Sequence, residues 1–180
     1  MLKKILIGFI VLVGVLFTYA ALRPAQMLIS REMLINASPE ALFPYINNSK
    51  KAYEWMPWQE SDPDAKIVYS GPDEGLGSKS SWESKGQMGV GEALVVESTA
   101  NQSVKTQLSY TKPFAMSQLA EISLTPLESA TKVKWSVNGH NTFLFRLIGI
   151  FMDCDKMVGD QFEKGLLKLK NLVETKTPGK

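Results

Sequence analysis

Hydrophobic and polar residues along this chain keep three rhythms in succession: an unbroken apolar run, a set of short alternating segments, and a long three-four repeat. The repeat fills residues 141–175, with apolar side chains at Leu147, Ile150 or Phe151, Cys154, Met157 or Val158, Phe162, Leu166, Leu169 and Leu172 or Val173. That spacing predicts a helix with one buried face, and Arg146, Asp155, Asp160, Glu163, Lys164, Lys168 and Lys170 supply the wet side. Asp153 offers an alternative, a fresh helix start after a break near Met152. The alternating segments predict strands at 27–35, 66–70, 79–84, 90–99, 104–110, 118–125 and 131–137. In the last, Val133, Trp135 and Val137 point one way while Lys132, Lys134 and Ser136 point the other. One wet and one dry face is the pattern of an antiparallel sheet covered on a single side, and the C-terminal helix is its expected cover.

Two short helices are expected between the first strand and the rest. Ser38 can cap the first, Pro39 suits the opening helical position, and Glu40 sits at the positive end of the dipole, giving a helix over 39–46. The second begins after 47–49 and must stop before Pro57, because the residue preceding a proline is pushed out of helical geometry. An aromatic corner follows, Trp55-Met56-Pro57-Trp58 leading to Asp62-Pro63. It reads either as a plug between helices and sheet or as the mouth of a cavity.

The unbroken run is residues 5–22, preceded by Lys3 and Lys4 and free of charge. As a helix it reaches about 27 Å, enough for a slightly thin hydrocarbon core. It is expected to be a membrane anchor (residues 1–25), with the lysines holding the N-terminus in the cytoplasm and residues 26–176 forming a domain on the outer side; 177–180 are a tail. A signal peptide cleaved near Ala20-Ala21 fits the same run and sends the domain the same way. The formal charge of +2 changes meaning once this segment is set aside. Lys3, Lys4 and Arg23 precede the first acidic residue, leaving the domain with 17 basic against 18 acidic side chains. No basic row exists to neutralise a phosphate backbone, so nucleic acid is not an expected partner. Cys154 is the single cysteine, which excludes an internal disulfide and suits a packed small hydrophobe. Gly75-Leu76-Gly77 and Gly89-Val90-Gly91 lack the third glycine and the strand-to-helix setting of a dinucleotide loop, and read as turns and bends.

The order strand, two short helices, six strands and long helix, over residues 27–174, resembles the helix-grip fold of the START-like superfamily, which includes SRPBCC and polyketide cyclase/dehydrase-like proteins. The resemblance rests on Ile35-Asn36-Ala37-Ser38-Pro39-Glu40-Ala41-Leu42-Phe43, the Trp55–Trp58 corner, and 157–166 (Met-Val-Gly-Asp-Gln-Phe-Glu-Lys-Gly-Leu). The second and third are similar to a membrane-anchored bacterial subgroup. The resemblance implies an α+β architecture, a curved antiparallel sheet gripping the last helix, with an apolar cavity between them. Members bind lipids, sterols, hormones or polyketides, or transform them. Such a fold is a scaffold for many functions, so no catalytic set follows from it.

Candidate chemistry is sparse. His140, the one histidine, is expected in a turn after the last strand, and with Cys154 it leaves too few ligands for zinc. No metal, cofactor or catalytic residue is expected. The carboxylates Asp153, Asp155, Asp160, Glu92 and Glu121 would matter only if one faced an apolar cavity, where its pKa would rise. Alternation places Tyr69, Trp82, Leu94, Leu108, Tyr110, Ile122 and Trp135 on the cavity side of the strands, with Phe151, Met157, Val158 and Phe162 on the helix and Trp58 at the mouth. The same residues could pack as a plain core. The functional expectation is membrane-anchored binding of an apolar, lipid-like small molecule. The alternatives are an envelope interaction module presenting Trp55–Trp58, and a cyclase or dehydratase acting through His140 or an inward carboxylate.

Overall fold

A computed structural model describes residues 1–86 and 88–176; Gln87 and the tail at 177–180 lie outside the described residues. The chain opens with α1 (Leu2–Leu22), followed by β1 (Gln26–Ile35) and three short helices, α2 (Pro39–Asn47), α3 (Ser49–Trp55) and α4 (Trp58–Ser61). Six strands come next: β2 (Lys66–Ser70), β3 (Lys79–Glu83), β4 (Val90–Thr99), β5 (Ser103–Lys112), β6 (Met116–Pro126) and β7 (Thr131–His140). Two helices close the chain, α5 (Phe143–Ile148) and α6 (Cys154–Lys176). The strands make one antiparallel sheet in the order β1-β7-β6-β5-β4-β3-β2. This is the helix-grip architecture, with α6 laid over β1 and β7.

Local chemistry sets the helix ends. Ser38 accepts a hydrogen bond from the Ala41 amide, and Asn48 accepts from Lys50 and Lys51 at 3.0 and 3.1 Å, so α2 and α3 each start on a side-chain cap. Met56, before Pro57, has extended geometry and ends α3. The single helix over 141–175 is corrected to two. Asp153 accepts from the Lys156 amide at 2.9 Å and starts α6 afresh, while α5 stops at Gly149. The break turns α5 toward α1 while α6 runs along β1, two directions one straight helix cannot serve.

The core lies between the sheet and α6. Ile29, Ile35, Val104, Leu124, Val133 and Val137 from the strands meet Phe162, Leu166, Leu169 and Val173 from α6 and Leu42 and Trp55 from α2 and α3. At its centre the Trp135 ring stacks on Phe162, centroids 4.2 Å apart and 10° between planes, and meets Trp55 edge-on at 5.3 Å. The far end of α6 is tied to the end of β1. Glu174 accepts from the Asn36 amide at 2.8 Å and from Lys170 Nζ at 2.7 Å, and Lys170 also donates to the Leu34 carbonyl at 3.0 Å.

Those donors, Lys170 foremost and then the Asn36 amide, hold the Glu174 carboxyl below its ordinary value. A depressed carboxyl contributes stability that is complete above the unfolded-state pKa and is lost as pH falls through the folded one. Glu174→Gln is therefore expected to unfold at lower urea than wild type at pH 7 and to converge with it as pH falls through the folded-state pKa. A gap that stays constant with pH would show that the charge of Glu174 is not what ties α6 down.

Candidate functional site

Register decides which side chains face α6. Ile29 opposite Val137, Trp135 opposite Ile122, Ile122 opposite Val104 and Leu108 opposite Gln118 put residues of one parity on the inner face. This face has two unlike halves. Toward the ends of β1, β7 and β6 nearest α2, Ile35, Thr131, Val133, Leu124, Val104 and Val95 are buried. Toward the opposite end, where α1 enters and α5 leaves, Ile67, Tyr69, Ser80, Leu108, Tyr110, Met116, Gln118 and Gly139 are only half-buried. The cause is coverage: α6 lies over β1 and β7 and α2 packs on β5 and β6 at the buried end, which leaves the far ends of β2–β5 the less covered part of the inner face. This half-buried strip, with Ser80, Ala93, Thr106 and Leu108 at its middle and aromatic side chains beside them, is the candidate groove.

Trp82 fills one side of this groove. Its Nε1 donates to the Met88 carbonyl at 3.0 Å and its ring meets Tyr110 edge-on at 5.5 Å. Gly91 makes room for the ring, since a Cβ there would stand 2.6 Å from it. At the mouth, the turn after β3 is clamped by Asp62, which accepts from Ser84 Oγ at 2.6 Å and from the Met88 amide at 3.0 Å. Gly89 (φ 62°) presses this turn against the Lys112 carbonyl, which a Cβ would approach to 2.2 Å. Burial pushes the Tyr69 and Tyr110 hydroxyls above their ordinary pKa, so both stay protonated through the neutral range. Tyr69, Ser80, Thr106, Tyr110 and Gln118 therefore offer neutral hydrogen-bonding groups among apolar ones.

The expected lining residues separate into three sets. Tyr69, Leu108 and Tyr110 are half-buried on the groove face, and Trp82 is buried there. Ile122, Trp135 and Phe162 are buried in the core beneath α6, with Val158 and Trp58 partly buried against it. Met157 lies on the flank of α6 shared with Gln161 and Lys168 and is 54% exposed. Two further placements depart from expectation. Leu94 pairs with Gln107 and Lys79 on the outer face, and Ala93 takes the inner position. Residues 93–96 are apolar without alternation, so parity there is settled by the register shifts at Val90/Gly91 and Val95/Glu97. Phe151 falls in the break between α5 and α6, 73% exposed, because the helix that would have turned it inward ends at Ile148.

The ionisable candidates lie away from the groove. His140 is the last residue of β7, opposite Gln26 and exposed, rather than in a turn. Glu92 pairs with Lys79 at 2.6 Å, opposite Ser81 and Ser109 on the outer face, and Glu121 shares that face. Asp160 pairs with Lys156 at 2.9 Å. Among the described residues no three His, Cys, Asp or Glu side chains are grouped to hold a metal ion. Trp55 is fully buried, with Nε1 donating to the Tyr45 carbonyl at 2.9 Å, so it is not part of a contact surface. Two surface depressions, of about 70 and 580 Å³, lie at the β2–β3 turn, where the first shares Tyr69 with the groove face, and beside the start of α2.

Arg31 is an inner-face residue that the alternation of Met27, Ile29, Met33 and Ile35 skips over. It stands opposite Trp135, beneath α6, and donates to Asp155 at 3.0 Å, Glu163 at 3.1 Å and the Ser30 carbonyl at 2.8 Å. Gly159 admits it: a Cβ would lie 2.0 Å from Nη2. Its acidic partners, Asp155 first, raise its pKa further. The readable signal was a glycine on the buried helix face between two acids eight residues apart.

No family model matches the sequence, and no curated protein does. Solved structures match over most of the chain. The Aha1 dimer of Colwellia psychrerythraea is 19% identical, with 82% of this chain and 96% of that one covered and a TM-score of 0.59. SA2116 of Staphylococcus aureus, a protein of unknown function, is 17% identical over 86% and 97%, with a TM-score of 0.61. The di-domain ARO/CYC protein StfQ of the steffimycin biosynthetic pathway is 9% identical over 86% of this chain and 53% of that one, also at 0.61. At these identities the likeness is one of fold, the helix-grip fold.

Proposed function

We propose that this helix-grip chain binds an apolar small molecule of lipid-like character along the half-covered inner face of β2–β5, while α1 holds it to the cytoplasmic membrane. The observation that carries this reading is the division of the inner face. One half is sealed by α6, and the other keeps apolar and neutral hydrogen-bonding side chains half-buried, the composition of a site that buries a chain and orients a head group. Binding would draw on burial of apolar area, about 25 cal/mol per Å². The StfQ neighbour is by its name a di-domain ARO/CYC protein of the steffimycin biosynthetic pathway, which is consistent with a small-molecule ligand.

The anchor reading rests on α1. Its mean hydropathy reaches 2.7, and by length and composition it suits a membrane span or a signal sequence. The span is favoured by the seat that the rest of the chain makes for it: Arg146 Nη1 donates to the carbonyls of Ala21 and Arg23 at 2.9 and 3.2 Å. Residues 1–25 then form the anchor, 26–176 the binding domain, and Lys3 and Lys4 orient the domain to the outer side.

Native mass spectrometry of the full chain released from mild detergent tests the binding. Wild type is expected to retain one lipid-like molecule per chain. Thr106→Trp, which fills the groove floor, is expected to lower that occupancy about tenfold while remaining folded. Equal retention by a folded Thr106→Trp would place any ligand elsewhere.

A further inference from the structure

At the α1 end of the domain, apolar side chains stand exposed on three adjacent pieces of chain. Phe143 and Leu144 belong to α5, Phe151 and Met152 to the break after it, and Phe114 to the turn between β5 and β6, whose ring packs edge-on against Phe145 at 5.8 Å. Residues 141–152 carry one charge, Arg146, and no acid, and the turn at 111–115 carries only Lys112. Soluble domains seldom leave so many large apolar groups together without a partner.

The position of this collar says what covers it. Arg146 is bonded to the last carbonyls of α1, and the Phe143 ring lies 5.5 Å from the Phe17 ring. Phe17 is five residues before Leu22, about 7.5 Å inside the end of the helix. The exposed apolar flank of α1 and the exposed apolar side of α5 thus form one continuous surface. Whatever solvates the end of α1 also solvates α5. Arg23, Arg146 and Lys112 are the cations carried on these same pieces of chain, and phosphate head groups would suit them.

We propose that α5, Phe151, Met152 and Phe114 are sunk in the surface of the phospholipid bilayer that α1 spans. This rests on the anchor reading above. It also deepens the functional one: the half-buried row of Tyr110, Met116 and Gln118 lies at the strand ends nearest this collar, so a lipid chain passes from leaflet to groove without crossing water.

The test uses the full chain in phosphatidylcholine/phosphatidylglycerol vesicles, with Cys154→Ser and one labelled cysteine at a time. Labels at Phe151→Cys and Leu144→Cys are expected to be quenched by nitroxide lipids and to show iodide quenching about fivefold weaker than a label at Leu127→Cys, in the β6–β7 turn at the opposite end. A label at Val11→Cys, midway along α1, separates the two readings. If Val11→Cys is shielded while Phe151→Cys and Leu144→Cys quench like Leu127→Cys, the docking proposal is overturned and the anchor stands. If Val11→Cys is itself open to iodide, the anchor reading falls and the docking proposal falls with it.

Discussion

Replacing Trp135 with alanine is expected to lower the unfolding free energy by about 3–5 kcal/mol, the range for losing a large aromatic from a core. Trp135 is 4% exposed and is held on both faces of its environment, stacked on Phe162 of α6 and met edge-on by Trp55 of α3. These rings come from three elements, and Trp55 is fixed by its own hydrogen bond to the Tyr45 carbonyl. The surroundings therefore have little freedom to collapse into the void. In a domain of this length the expected fall in Tm is on the order of 10 °C. Thermal and urea unfolding of the two proteins measure it, and a loss below about 1 kcal/mol would show that the aromatic stack does not hold the helix to the sheet.

Adding volume at the same junction is expected to have the next largest effect. A Cβ on Gly165 would stand 2.8 Å from Trp135, 3.1 Å from the Pro57 Cδ and 3.5 Å from Trp55. None of these groups can swing away, because two are interlocked rings and the third is a proline. Alanine at this position regains about 1 kcal/mol of helix propensity, but the clash with Trp135 outweighs it, so Gly165→Ala is expected to be destabilising. Valine adds two methyl groups where one already crowds, so Gly165→Val is expected to cost about 3 kcal/mol, at the upper end of overpacking penalties. Denaturant melts of the glycine, alanine and valine series give the slope. A valine variant as stable as the alanine one would mean α6 is free to lift from the tryptophans.

The sheet was legible because its strands alternate cleanly and are punctuated by turns, and Ser38 and Pro39 announced α2 by their chemistry. Alternation also placed Tyr69, Trp82, Leu108 and Tyr110 on the inner face. It could not place Leu94, where four consecutive apolar residues leave parity undefined and register shifts decide it. The division of the inner face into sealed and half-covered parts was not legible, because it depends on which strands α6 overlies, a tertiary choice that helical periodicity does not encode. Arg31 was missed for a related reason. Gly159 between Asp155 and Glu163 hinted at a buried cation, but which strand residue supplies it is visible only when they are seen above Arg31.

Between α1 and β1 there are only three residues, Arg23, Pro24 and Ala25. Fully extended, they reach about 10 Å, and proline and the Arg146 bonds shorten that further. The domain therefore has no leash on which to travel. If α1 is the anchor and the domain binds a ligand as proposed, that ligand would be collected and surrendered on the spot, and onward transport would belong to a donor or acceptor that comes to it.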